Sequence, residues 1–233
     1  LINLASASAS EIYSAAIQDY DRGVVIGSTT TGKGTAQVQL DSLAYGQATL
    51  TQRKFYRVTG GSTQNKGVIP DVKLVDIYDE EFGERKAKNA LKWDTIPTAP
   101  FKREGQIQPY VPELSVLSKQ RVDADVQFQY LNARKAIAQI SKDQKQVVLD
   151  ITQRKKDLIE LEDKTLQAEN ARRKVMGQKP YPNWESYQAS MDALAESRAK
   201  MKVAQRPSLP EEETFVTEAA NVLMDLGQLQ KKH

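Results

Sequence analysis

Cysteine is absent from this chain, and its single histidine, His233, is the last of 233 residues. The first absence leaves no disulfide and no thiolate metal site, and the two together leave a zinc enzyme without its usual ligands. They also remove the common means of activating a serine hydroxyl, an imidazole held beside it in the fold. No apolar run is long enough to span a bilayer, and no signal-peptide pattern is present. A lack of cysteine fits an oxidising compartment without requiring one. Charge of one sign is also missing: 33 Lys and Arg against 30 Asp and Glu give a net +3, too little for a nucleic-acid surface. Basic runs such as Arg154-Lys-Lys156 and Arg172-Arg-Lys174 are interleaved with Glu160, Glu162, Asp163 and Glu169, the pattern of a solvated helix face.

What is present begins with a serine-rich start. Leu1-Ile-Asn-Leu-Ala-Ser-Ala-Ser-Ala-Ser-Glu11, followed by Ile12, Tyr13, Ala15, Ala16 and Ile17, reads as strand, turn, helix. Ser8 or Ser10 can cap the helix, and Glu11 stands three residues after Ser8 as in a capping box. The helix is therefore predicted to start at about Ser8. Its unpaired N–H groups suit an oxyanion, with the Ala9 amide the natural donor. The plainer alternative is that the serines only cap a buried helix.

A serine nucleophile needs a base, and without histidine a lysine can serve once burial disfavours its charged form. Lys33 stands between Gly32 and Gly34, after the predicted buried strand Gly23–Gly27 and before the alternating strand Thr35–Leu40. Glycines let neighbouring chain approach closely and would help turn the lysine inward. A solvated turn lysine is the competing reading. Gly27-Ser-Thr-Thr-Thr-Gly32-Lys33 also resembles the start of a phosphate-binding loop, but Gly34 stands where Ser or Thr must reach magnesium, and a strand pattern follows where a helix is needed.

Taken in order, Ser6-Ala-Ser-Ala-Ser-Glu11, Gln18-Asp19-Tyr20, Gly32-Lys-Gly-Thr35 with Gln37, Lys54-Phe-Tyr-Arg57, Gly60-Gly-Ser-Thr-Gln64 and Gly67-Val-Ile-Pro-Asp71 resemble the carboxyl-terminal processing peptidases, family S41, and within them the periplasmic tail-specific branch. Trp93-Asp94-Thr-Ile96 and the tail ending Asn221-Val-Leu-Met-Asp-Leu226 resemble the C-terminal extension of that branch. The resemblance implies Ser8 as nucleophile, Lys33 as general base, Gln37 as the residue orienting the lysine and Ala9 as an oxyanion-hole amide. Asp19 also matches a position treated as functional, although a helix would carry it about 16 Å along the axis from Ser8, a distance better suited to supporting the fold. Ala5 and Thr31 stand where the family usually has aromatic residues, a difference of pocket shape rather than chemistry.

The implied fold is α/β in the α+β sense: residues 1–75 the C-terminal half of an S41 core of mixed strands with a serine-bearing helix, residues 76–112 a connecting segment, and residues 113–233 an all-α extension. The implied activity is serine endopeptidase cleavage, without a cofactor, of proteins with unstructured apolar C-termini in the bacterial periplasm, peripheral to the inner membrane. Implied partners are protein substrates held by their C-termini and a helical-repeat lipoprotein adaptor; no nucleic acid is expected. Leu1 is not a methionine and lies seven residues before Ser8, so upstream parts are expected: a PDZ domain and the rest of the core, in the same or another chain. The chain alone is expected to be inactive. A non-catalytic scaffold that binds a partner through its helices is the competing reading.

Further strands are predicted at Gln47–Leu50, Lys54–Val58 and Val68–Leu74, bordering a groove for extended peptide. Phe55, Tyr56 and Tyr20 read as core. The segment 76–112, with its Asp79-Glu80-Glu81 cluster and prolines at 97, 100, 109 and 112, should drape over the surface. Helices are predicted at Val122–Ile140 and Val147–Val175, then, after Pro180 and Pro182, at Trp184–Met201 and Glu212–Leu229.

Overall fold

A computed structural model of the chain describes residues 1–41, 43, 45–76, 83–202, 205–206 and 209–232. His233 and the Asp79-Glu80-Glu81 cluster lie outside the described residues. The elements in order are α1 (Ala9–Asp19), β1 (Ile26–Gly27), β2 (Thr35–Leu40), β3 (Ala48–Lys54), β4 (Val72–Lys73), α2 (Val111–Ala124), α3 (Val126–Asp143), α4 (Ile151–Val175), α5 (Trp184–Lys200) and α6 (Pro210–Lys232). This is the expected α+β composition, short strands with one helix followed by a run of helices. The chain divides into two compact units, Leu1–Lys119 with Glu218–His233, and Gln120–Thr217.

In the first unit, β1 pairs in parallel with β4, Ile26 opposite Val72, and Ile2 adds a parallel bridge to Gly27. Ile2, Ala15, Val25 and Val68, with Ile17 against them, close the core under α1. Alternation in Thr35–Leu40 gives the expected strand rather than a phosphate-loop helix, and β2 pairs antiparallel with β3 across a bulge at Ala36/Gln37. The two strands expected at 47–50 and 54–58 are different in outcome: one ladder runs from Ala48 to Lys54, because every residue from Thr35 to Leu40 has a partner there. Beyond it, Tyr56 keeps a single bridge to Ser62.

The connecting segment is bound to this unit by its backbone. Ser62, Ile96 and Ala99 donate N–H bonds to Asp94, Gly60 and Val58 carbonyls at 3.2, 2.9 and 2.9 Å. The Trp93 indole donates to the Ser62 carbonyl at 2.8 Å, with the Lys66 ammonium 3.2 Å from its ring centre. A hydrogen bond from Lys54, then the lysine's charge and the Tyr56 hydroxyl, hold the Asp94 carboxyl below the usual range. Further on, the buried Asp21 carboxylate accepts the Gln108 N–H at 3.0 Å. Pro112 then falls in the first turn of α2, where its missing N–H costs nothing, so a helix starts where the proline suggested continued loop.

In the second unit, one predicted helix becomes two because the Asp125 side chain accepts from the Gln127 and Phe128 N–H groups and starts α3 afresh. Likewise Asp150 accepts from Gln153 N–H at 2.8 Å, so α4 begins at Ile151 rather than Val147. Phe128 and Leu131 are buried, and Phe128 meets Phe215 edge-on at 5.7 Å. The buried Glu169 receives two bonds from the Arg172 guanidinium, at 2.7 and 2.9 Å. Burial, then the Glu169 charge, pushes the Tyr130 hydroxyl above the ordinary tyrosine range. Among the described residues, no helix is long and apolar enough to cross a membrane.

Candidate active site

Ser8 is the N-cap of α1, at φ 55° and ψ −112°, a region that costs a non-glycine residue on the order of 1–3 kcal/mol and persists only when surroundings hold it. Its carbonyl accepts from Glu11 and Ile12 N–H at 2.9 and 3.0 Å, starting the helix. Ser8 is half-buried and Ala9 exposed, and the first amides of a helix have no partner within it.

Lys33 lies in the turn between β1 and β2, half-buried, and its ammonium makes no ion pair or hydrogen bond among the described residues. The turn is possible because of its glycines. Gly32 has φ +87°, and a Cβ there would lie 2.9 Å from the Asn65 backbone carbonyl carbon. At Gly34 a Cβ would lie 2.5 Å from the Gln64 backbone nitrogen, less than any real contact. The chain at 64–65 approaches this closely because Asn65 N–H donates to Gly32 O at 2.8 Å and Gly34 N–H to the buried Gln64 side chain at 2.8 Å.

The residue that joins serine and lysine segments is Glu11. It is fully buried. One carboxylate oxygen accepts the Thr30 hydroxyl and the Gly32 N–H, the latter at 2.7 Å. The other accepts the Ser8 and Lys33 N–H groups, both at 2.9 Å. Two more bonds stitch the same surfaces, Thr31 N–H to Ser6 O at 3.0 Å and the Thr31 hydroxyl to Leu4 O. Sequence reading sees Glu11 only as a helix cap. Thr30 and Gln64, both fully buried, stand in motifs read from the sequence but are given no role there, since a polar residue in a turn gives no sign of burial.

Gln37 is exposed on β2, where its side-chain amide donates to the Thr51 hydroxyl at 3.1 Å across the ladder. No described hydrogen bond joins it to Lys33. Asp19 closes the far end of α1, buried, and takes a two-pronged ion pair from Arg57, whose guanidinium also donates to the Gln18 side chain at 2.8 Å. That arrangement ties α1 to the chain just beyond β3 and puts Asp19 a full helix length from Ser8.

The half-buried serine at the start of α1 and the lysine turn fixed by the same carboxylate both lie in the part of the chain that matches a family of peptidases. Residues 1–74 match the family described as "Peptidase family S41", and residues 77–228 match "C-terminal domain of tail specific protease (DUF3340)". The chain belongs to the tail-specific protease family within S41. It is 39% identical over 191 residues to the tail-specific protease of Haemophilus influenzae, covering 77% of this chain and 28% of that protein. It is 35% identical over 99 residues to a carboxy-terminal-processing protease of Bartonella bacilliformis, covering 40% of this chain and 23% of the relative. A probable CtpA-like serine protease of Staphylococcus aureus is 36% identical over 74 residues, 32% of this chain and 15% of the relative. The chain thus spans little more than a quarter of the length of the Haemophilus relative.

Proposed function

We propose that this chain carries the Ser-Lys dyad of a tail-specific serine endopeptidase, with Ser8 as nucleophile and Lys33 as general base. Residues 1–75 form half of the protease core, 76–112 the connection and 113–233 the helical extension, and the remaining core comes from elsewhere in the same or another chain. The observation that carries this reading is the Glu11 carboxylate, which holds the backbones of Ser8 and Lys33 at once. A protein that used these segments only as structure would have no reason to fasten a serine at positive φ to a lysine turn whose ammonium has no partner among the described residues.

As general base, Lys33 takes the proton as Ser8 Oγ attacks a peptide carbonyl. The Ala9 N–H at the start of α1 supports the oxyanion, with the helix dipole behind it. The lysine returns the proton to the leaving amine, and water, deprotonated by the same amine, releases the acyl group from Ser8. Gln37 is assigned the role of orienting the lysine in the assembled site, and Asp19 that of bracing α1. The substrates are proteins with unstructured apolar C-termini in the bacterial periplasm. The β2–β3 ribbon, mostly exposed, offers backbone edges to an extended segment.

Cleavage of an unfolded protein with an apolar C-terminus by the full-length protease tests the reading, with Ser8→Ala, Lys33→Ala and Lys33→Arg compared with the unaltered enzyme. All three variants should lose cleavage by at least about 1000-fold while keeping the fold, since arginine retains charge and cannot act as a base. Retained cleavage in Lys33→Arg removes Lys33 as the base and with it the dyad, whereas no cleavage above background by the unaltered enzyme leaves the scaffold reading.

A further inference from the structure

The turn that carries Lys33 is gripped by Glu11, by residues 64–65 and, from outside residues 1–75, by the connecting segment. The grip of the connecting segment comes from a single tight helical turn, Glu84–Lys86. Its Glu84 N–H donates to the Thr31 carbonyl at 2.9 Å, and the Arg85 guanidinium donates to the Thr30 carbonyl at 3.1 Å. Glu11 cannot serve these two oxygens, because a carboxylate only accepts.

A further contact acts one step back. The half-buried Glu84 carboxylate accepts the Gln64 side-chain NH2 at 3.1 Å, while Gln64 Oε1 accepts Gly34 N–H at 2.8 Å. A primary amide presents oxygen on one side and NH2 on the other, so an acceptor on the far side fixes which end meets the backbone. Glu84 therefore decides how the fully buried Gln64 amide faces. Reversed, the amide would set NH2 against Gly34 N–H and oxygen against the carboxylate. Through Thr30 and Thr31 on one side and Gly34 on the other, the connecting segment holds the backbone on both flanks of Lys33.

We propose that Glu84 and Arg85 are positioning residues for the general base, fixing the backbone from which Lys33 acts on Ser8. The inference rests on the Ser-Lys reading above and gives the connecting segment a part in setting the rate of cleavage.

The full-length protease tests it, with kcat and KM for cleavage of an unfolded protein expressed per folded molecule, the folded fraction being read by circular dichroism. Glu84→Ala should lower kcat about tenfold, and Arg85→Ala, at a more exposed bond, about threefold, with KM changed by less than about twofold. Labelling of Ser8 by a fluorophosphonate, which needs the base and no peptide groove, should slow by the same factors. Glu84→Gln keeps an acceptor oxygen for Gln64 and should stay within about twofold of the unaltered enzyme, whereas Glu84→Lys offers a donor there and should fall at least as far as Glu84→Ala. Unchanged kcat per folded molecule in Glu84→Ala and Arg85→Ala overturns the proposal, and so does a loss confined to KM or to the folded fraction. Ser8→Ala and Lys33→Ala, run alongside, keep the two readings apart: retained cleavage in them removes the dyad, whereas loss in them with Glu84→Ala and Arg85→Ala unaffected removes the positioning role alone.

Discussion

Replacing Glu11 by glutamine removes one acceptor oxygen and the charge while keeping the shape. The carboxylate takes four donors, the Thr30 hydroxyl and Gly32 N–H on one oxygen, the Ser8 and Lys33 N–H groups on the other. An amide must turn its NH2 toward one pair. Turned toward Ser8 and Lys33, it strands two backbone donors. Turned toward Thr30 and Gly32, it can donate to the threonine hydroxyl, which already accepts from Val68 N–H at 2.7 Å, but the Gly32 N–H and the threonine's own O–H then lose their acceptor. Either orientation strands two donors. At about 1 kcal/mol or more for each, with about 1 kcal/mol for the charge assistance of the remaining bonds, the substitution costs about 3 kcal/mol or more. That is a large share of a typical domain's stability. Urea denaturation should show it as a lower midpoint at unchanged slope, and cleavage by the full-length enzyme should fall because the Ser8 elbow is less firmly held. Glu212 is the control. It also caps a helix, accepting from Leu209 N–H at 2.9 Å, but in exposed surroundings, so Glu212→Gln should cost under about 1 kcal/mol. Equal effects of the two substitutions, or a Glu11→Gln loss below about 1 kcal/mol, would refute the argument that burial makes this carboxylate the clamp.

Gly34→Ala should destabilise the lysine turn by about 1–3 kcal/mol, read in the same denaturation assay, because the added methyl meets the Gln64 backbone at 2.5 Å. Gly227→Ala, with nothing within 4 Å of the new methyl and a helical position in α6, should instead stabilise by about 0.5–1 kcal/mol. Asp19→Asn should cost about 2–3 kcal/mol by leaving the largely buried Arg57 uncompensated, and Arg57→Met should reproduce its effect on cleavage; an Asp19 that acted in the chemistry would not be mimicked by its partner. Alkali should loosen the second unit. Tyr130 has its folded pKa raised, first by burial and then by Glu169, so the stability it contributes is whole below the unfolded tyrosine value near about 10 and is lost as pH climbs toward the folded one. Tyrosinate absorbance and helix dichroism followed together should show Tyr130 ionising only with loss of structure, and Tyr130→Phe should abolish that coupling.

Periodicity made most of the elements legible, because a helix or ladder leaves its repeat in neighbouring residues. Thr35–Leu40 alternates and pairs; Trp184 starts α5 directly after the Asn183 cap. Boundaries failed where one side chain decided them. Asp125 and Asp150 each satisfy orphan amides at a new helix start, and nothing in the apolar spacing says that they must. The candidate site divides the same way. Ser8 and Lys33 are marked by local glycine, serine and alanine patterns, so their segments were readable. Glu11 was readable only in its local half, the bond to Ser8 three residues back. Its other three bonds reach residues 30, 32 and 33, across a fold that brings two distant turns together. Local sequence carries the cap, and only the tertiary approach of the lysine turn makes that cap a clamp. A glutamate in the same register of an exposed helix, as Glu212 is, looks identical in sequence and binds one amide at the surface. What separates them is dielectric and partner count, both set by chain segments that no window around Glu11 contains.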